Sequence, residues 1–391
     1  MERKIKIVRI MNRFSIGGPT FNVTYLTRYL PDEFETILVG GVPEKGETDS
    51  LHILRENGIE PIIIPELSKS VNPMKERKAY QKIKKIIEEF KPDIVHTHAS
   101  KSGLIGRLAA HSANVSVILH TFHGHVFHSY FGKVKTEMVK RMERYLAKIS
   151  TGIIAISETQ KHELTSVYNI APRDKVKMIP LGFDLSRFVK SREKNRKNIR
   201  QKFGVEEDVV AIAIVGRLVP IKNHEFFLDV IQKLVKLTSR KIHVFIVGDG
   251  EEREQIELRV ESLKQEGCKI VMTSWLYDVA EFNGGMDVIC LTSKNEGTPV
   301  SLIEAQATGI PVVSTDVGGV SDIVANGKAG FVVEKGKLSE YVAKLQILVE
   351  NDALRENYGN FGKKYVLEHF DYSVLINNMN QYYNSLLKER M

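Results

Sequence analysis

Runs of consecutive apolar residues recur along the chain, separated by longer polar stretches of helical period. In the first half they are IKIVRIM (5–11), TILVGG (36–41), PIIIP (61–65), DIVHTH (93–98), VSVILHTF (115–122), GIIAIS (152–157) and KVKMIP (175–180). Strands that are apolar on both faces belong to parallel sheets covered by helices. Stretches 75–90 and 133–148 supply such helices. A second series begins at VVAIAIVGR (209–217) and continues through KIHVFIVGDG (241–250), CKIVMTSW (268–275), DVICLTS (287–293), PVVSTD (311–316) and GFVVE (330–334). This order predicts an α/β chain of two Rossmann-like domains, 1–185 and 200–370, with parallel sheets facing across a cleft. The charged stretch SREKNRKNIRQKFG (191–204) has no strand run and places a linker near 183–200. A terminal helix over 372–388 is expected to pack back onto the first domain.

Length agrees with two cores, since 391 residues exceed one ordinary domain. A hydrophobic content of 42% with 27% charged residues reads as globular. Two cysteines make no disulfide framework, so a reducing cytosol is the simplest compartment. The start, MERKIKIVRIM, does not read as a signal peptide, and no run approaches the ~18–20 apolar residues of a membrane span. The expected location is therefore cytoplasmic, with the inner face of a membrane as a possible station. The net charge of +8 is lopsided: 28 basic residues face 20 acidic ones in 1–185, against 28 and 28 in the remainder. A basic first half suits anionic lipid or a phosphorylated substrate, or is simply a solvated lysine-rich surface.

Ligands of open α/β sheets bind beyond the carboxyl ends of the strands, so chemistry is sought in the segments that follow them. Asn295-Glu296-Gly297-Thr298-Pro299-Val300-Ser301-Leu302-Ile303-Glu304 follows a strand run and opens a helix, with Thr298 as expected N-cap and Pro299 in the first turn. A helix start offers unpaired N–H groups to a diphosphate. Gly216-Arg217-Leu218-Val219-Pro220-Ile221-Lys222-Asn223 places two cations after another strand, suited to a leaving diphosphate. Gly17-Gly18 follows the first strand, without the spacing of a dinucleotide fingerprint. His98 and Lys101 open a helix that suits an anion, or is only a capped helix. His120, His123, His125 and His128 form a cluster with three readings: a metal site, satisfied structural imidazoles, or one histidine, His123, placed over a sugar.

Together these segments resemble glycosyltransferase family 4, a retaining group with the GT-B fold. The most specific part is the E-x7-E pattern from Glu296 to Glu304; GRLVPIKN, VGDG (247–250) and the GGP loop occur in the expected order. VHTHASKSGLIGRLAA followed by HTFHGHVF looks like the subset that builds bacterial surface polysaccharides. The resemblance implies that Arg217 and Lys222 hold the donor pyrophosphate, Glu296 the donor sugar and Glu304 the ribose. Gly297, Thr298, Val300 and Ser301 would offer backbone N–H groups, with Pro299 among them but without one. Gly17 and Gly18 would lie over the diphosphate, His123 would touch the sugar, and Gly250, Trp275 and Leu276 would lie near the nucleotide. His98, Lys101 and His125 are acceptor or anion candidates.

The implied reaction takes a nucleoside-diphosphate sugar, UDP-linked by preference, to a lipid-linked or saccharide acceptor, with no metal and no other cofactor. No nucleic-acid partner is expected, peripheral contact with an anionic membrane is, and the oligomeric state is left open. A nucleotide-sugar 2-epimerase-like isomerase and a silent nucleotide-sugar-binding scaffold are the rivals. A dehydrogenase lacks its glycine fingerprint.

Overall fold

The computed structural model describes residues 3–15, 17–43, 49–68, 72–124, 132–190, 192–276 and 278–390. The chain divides into two compact units, Met1–Phe183 with Tyr372–Met391, and Asp184–Asp371.

Every apolar run of the first series becomes a strand of one parallel sheet: β1 (Ile5–Arg13), β2 (Phe34–Gly41), β3 (Ile62–Ile63), β4 (Ile94–His98), β5 (Val117–Phe122), β6 (Gly152–Ala155) and β7 (Val176–Met178). The order is β3-β2-β1-β4-β5-β6-β7, so the winding reverses between β1 and β4. The central strands β4 and β5 are buried at every position, which is why they read as unbroken apolar runs. Three helices matter for the site: α1 (Gly18–Arg28), α2 (Ser100–Ser112) and α3 (Lys133–Ile149). A buried ion pair joins α2 to α3, Arg107 Nη2 to Glu143 Oε2 at 2.6 Å.

The C-terminal helix, Tyr372–Lys388, belongs to this unit. Its Leu375, Ile376, Met379, Tyr383 and Leu386 share a core with Ile7, Ile94, Val117, Leu119 and Ile154. Leu375, Met379, Tyr383 and Leu386 recur at spacings of three and four, the one-face pattern of a helix.

The second unit holds β8 (Val210–Val215), β9 (Ile242–Val247), β10 (Ile270–Thr273), β11 (Val288–Leu291), β12 (Val312–Asp316) and β13 (Gly330–Glu334), all parallel in the order β10-β9-β8-β11-β12-β13. Here the winding reverses between β8 and β11. Three helices concern the argument: α4 (Arg192–Phe203), α5 (His224–Leu237) and α6 (Val300–Ala307).

The stretch read as linker is in large part α4, a helix fixed to the second unit. Arg196 and Arg200 grip Asp287 at 2.8 and 3.0 Å, and Asp287 also accepts from the Ala211 backbone N–H at 2.8 Å. Charge pairs rather than an apolar stripe hold this helix, so hydrophobic periodicity does not register it. Among the described residues no helix is long and apolar enough to cross a membrane.

Candidate active site

The reversal point of the second sheet lies between β8 and β11, and the two most chemical segments of the sequence follow those two strands. Hydrogen bonds lock the segments together. Lys294 N donates to Ile221 O at 2.8 Å, and the Thr292 hydroxyl lies 3.2 and 3.1 Å from the carbonyls of Lys222 and Asn223. Lys222 Nζ thereby meets Glu296 Oε1 at 2.5 Å, and the Ser293 hydroxyl donates to the same oxygen at 2.5 Å. The side chains retain 20% and 11% of their exposure, so the pair is sheltered but open on one side. An ammonium carries three donors, and one is engaged here. Arg217 is exposed and forms no ion pair among the described residues.

Close backbone approach shapes the Arg217 loop. A Cβ at Gly248, where φ is +143°, would sit 1.9 Å from Gly216 O, and one at Gly250 would sit 2.3 Å from Leu218 O. Only glycine permits either contact. Gly250 thus supports the cationic loop by packing, whatever else it touches. Leu218 N donates to Asp249 O at 3.0 Å, which completes the clamp.

Helix α6 begins one residue later than expected. Pro299 is the N-cap, in an extended conformation, and no side chain caps the helix; Thr298 precedes it. Leu302 N turns back to Pro299 O, whereas the N–H groups of Gly297, Thr298, Val300 and Ser301 have no acceptor among the described residues. Such unpaired donors at a helix start suit an anion. Glu304 lies on the second turn. Burial pushes its carboxyl up to about 7, against the opposing pull of the Arg187 guanidinium. Its carboxyl makes no hydrogen bond among the described residues. Trp275 is exposed beyond β10, with the half-buried Leu276 beside it, at the sheet edge rather than at the reversal point.

Sequence reasoning passed over Ser293, Asp249 and Arg187. Ser293 and Asp249 look like ordinary strand-end polar residues, and Arg187 lies in the stretch taken for a linker. Nothing in the local pattern marks Ser293 or Arg187, and Asp249 is reached only as part of the VGDG segment.

In the first unit Gly17 caps α1 and Gly18 opens it. A Cβ at either would make only ordinary contacts, at 3.7 and 3.5 Å, and φ at Gly17 is extended. The fold therefore does not require these glycines. Lys101 is not available as expected for an anion: its ammonium is bound by Ser68 O at 2.9 Å and lies 3.3 Å from Glu76. His98 is fully buried and does not offer itself to an exposed acceptor. Its Nδ1 lies 2.9 Å from His123 Nε2, and the two rings stack with centroids 5.2 Å apart. Burial pushes His123 down to about 3 and His98 well below the usual imidazole range, so both rings are neutral near pH 7. His120 bonds the Thr97 hydroxyl at 2.9 Å. His125 and His128 lie outside the described residues. Among those described, no group of three or more His, Cys, Asp or Glu is disposed to hold a metal ion.

Two family models match, one on each unit. Residues 16–187 match the model described as Glycosyltransferase Family 4, and residues 195–365 match that of Glycosyl transferases group 1. The two stretches together take in most of the chain.

The chain is a glycosyltransferase, its first half of Glycosyltransferase Family 4 and its second of Glycosyl transferases group 1.

It has the GT-B fold. Among curated proteins it is similar to the Escherichia coli UDP-Gal:alpha-D-GlcNAc-diphosphoundecaprenol alpha-1,3-galactosyltransferase, 28% identical over 76% of this chain and 77% of that one. It is similar also to the capsular polysaccharide biosynthesis glycosyltransferase CapM of Staphylococcus aureus, 29% identical over 87% and 90%. Among solved structures, Anabaena HepE in complex with UDP superposes with a TM-score of 0.82 at 17% identity, over 97% of this chain and all of that one. At that identity the likeness speaks to the fold.

Proposed function

We propose that this glycosyltransferase moves a sugar from a UDP-sugar to a lipid-linked or saccharide acceptor, with retention, in the synthesis of a bacterial surface polysaccharide. The observation that carries the reading is the Lys222–Glu296 pair at the reversal point, flanked by Arg217 and by the N–H groups of Gly297, Thr298, Val300 and Ser301, all unpaired among the described residues. Cations and aligned dipoles there suit a diphosphate whose charge grows as it leaves. Glu296, oriented by Lys222 and Ser293, accepts from hydroxyls of the donor sugar, and Glu304 from the ribose diol. Gly17, Gly18 and His123 take the roles that the family resemblance implies, and Trp275 offers a face to the base. The nature of the acceptor draws support from the two bacterial relatives, whose names specify a diphosphoundecaprenol-linked acceptor and a capsular polysaccharide.

In the transfer, the bond from anomeric carbon to diphosphate oxygen breaks and its electrons stay with the diphosphate. The acceptor oxygen bonds the same carbon on the same face, and its proton passes to the leaving phosphate oxygen. Arg217 and Lys222 stabilise the departing charge in the place a metal ion takes elsewhere. A donor screen with UDP-, GDP- and ADP-sugars, with and without a polyprenyl-diphosphate saccharide, is expected to release UDP at least tenfold faster than the other nucleotides, and equally with EDTA. An epimerised UDP-sugar formed without acceptor would replace transfer by isomerisation. Donor binding without any nucleotide release would leave only a scaffold.

Peripheral membrane contact is proposed for α3. Its Val134 and Met138 are 78% and 66% exposed, and Tyr145 and Arg141 are exposed as well. The face is less basic than the sequence suggests, because Lys140 and Arg144 bond Glu137 at 2.8 and 3.0 Å. Apolar insertion would thus contribute along with charge. Cosedimentation with vesicles containing phosphatidylglycerol is expected at low salt and is expected to weaken in Val134→Ser/Met138→Ser. Absence of binding at low salt would remove the membrane claim.

A further inference from the structure

Four imidazoles, His96, His98, His120 and His123, lie on or just beyond the neighbouring strands β4 and β5, beside the reversal point of the first sheet. Their neighbours decide where their protons sit. Arg9 Nη1 lies 3.0 Å from His96 Nδ1, and a guanidinium can only donate, so that nitrogen is the acceptor. His96 Nε2 then carries the proton and donates to the Thr121 hydroxyl at 2.7 Å. The Tyr383 hydroxyl, 2.6 Å from His96 Nδ1, donates to it as well. The Thr97 hydroxyl donates to Leu119 O at 3.1 Å and so accepts from His120 Nδ1.

The remaining pair is His98 and His123. At 2.9 Å one proton lies between His98 Nδ1 and His123 Nε2. The outer nitrogens, His98 Nε2 and His123 Nδ1, are buried and have no partner among the described residues. If His123 Nε2 were the donor, His98 would present a buried N–H to nothing. If His98 Nδ1 is the donor, His98 Nε2 is a bare lone pair, and His123 carries its proton on Nδ1. Either arrangement leaves one buried N–H without a partner among the described residues; His98 is fully enclosed and His123 only half-buried, so the unpaired N–H falls on His123 Nδ1, where a bound saccharide can satisfy it. The ring of His98 is also held in place: it packs at a tilt against His96, with centroids 4.2 Å apart, and its carbonyl accepts from Ser102 Oγ at the start of α2.

We propose that His98 is a positioning residue: by donating its Nδ1 proton to His123 Nε2, it holds His123 in the tautomer whose Nδ1–H hydrogen-bonds a hydroxyl of the bound saccharide. The proposal rests on the reading of His123 as the substrate-facing histidine. It explains why a histidine expected to meet an anion is instead fully enclosed. It also makes the C-terminal helix part of the device, since Tyr383 and Arg9 set His96, against which the His98 ring packs.

Long-range proton–nitrogen spectra of 15N-histidine-labelled enzyme, with His123→Gln to assign the signals, are expected to show His123 protonated on Nδ1 and bare on Nε2. His98→Asn, whose amide keeps a donor near the Nδ1 position, is expected to hold kcat within about threefold of wild type. His98→Leu is expected to lower kcat by about tenfold to a hundredfold while the donor KM changes less than about threefold. Wild-type kcat in His98→Leu, or an Nε2–H tautomer of His123 in the wild-type enzyme, overturns the proposal alone. Wild-type turnover in His123→Ala overturns the substrate role beneath it. The spectrum is read on wild-type enzyme without substrate, so it decides the tautomer even where a variant does not fold.

Discussion

Lys222→Ala is expected to lower kcat by about 10²–10³, with the thermal midpoint within a few degrees of wild type. The ammonium has a double role: it charges the diphosphate site directly, and it orients Glu296 at 2.5 Å. Its loss leaves the Glu296 carboxylate with Ser293 Oγ alone on its bonded oxygen. Glu296→Ala should cost a similar factor, and the double variant Lys222→Ala/Glu296→Ala much less than the product of the two, because groups acting as one unit are non-additive. Arg217→Ala should cost about tenfold, since this exposed side chain leaves no partner behind. Steady-state kinetics on the four proteins provide the check. Turnover within threefold of wild type in Lys222→Ala, or strictly multiplicative losses in the double variant, would remove the pair from the mechanism.

Most of this arrangement was legible before any coordinates. A buried parallel strand is apolar throughout and ends where polar residues resume, so both the strands and the strand-end segments announce themselves. Arg217, Lys222, Glu296 and Glu304 were visible because each stands in a segment that follows a strand or opens a helix. What stayed hidden depends on partners distant in sequence. Helix α4 is fixed by Arg196 and Arg200 reaching Asp287, about ninety residues away. Lys101 reads as a free cation until Glu76 and Ser68 are seen against it. The shift of the α6 start from Thr298 to Pro299 follows from a local backbone choice that the residue types do not dictate.

The histidines show the same boundary. Their number within β4, β5 and the loop after β5 admits metal, structure or substrate, with His123 over a sugar the preferred reading. Three-dimensional neighbours separate the possibilities: Arg9 and Thr121 assign His96, Thr97 assigns His120, and His98 faces His123. None of these pairings is a sequence neighbour. They arise from strand register, in which β1 sets Arg9 against His96 and β4 sets His98 against Thr121.

Glu304→Gln should raise the stability of the enzyme and lower its activity, and both effects should depend on pH. The folded-state carboxyl, pushed up to about 7, stands above its ordinary 4.5, so between those values the folded state holds a proton that the unfolded chain releases. Stability falls as pH rises through this window, and the full penalty of the half-buried carboxylate is present above 7. A glutamine cannot ionise, so the variant should match wild type near pH 4.5 and exceed its thermal midpoint by roughly 2–6 °C at pH 8. The ionised form is the one that accepts two hydroxyl hydrogen bonds from a ribose. Wild-type kcat/KM for the donor should therefore climb between pH 6 and 8, while the variant stays flat and about tenfold to a hundredfold lower at pH 8. Thermal unfolding and initial rates across that range test both halves. An unchanged midpoint at pH 8 would mean that the carboxylate is better solvated than its surroundings imply, and a flat wild-type profile would separate Glu304 from donor binding. The combination expected here, a residue that destabilises the fold in the charge state that serves the substrate, is the mark of a side chain retained for binding rather than for packing.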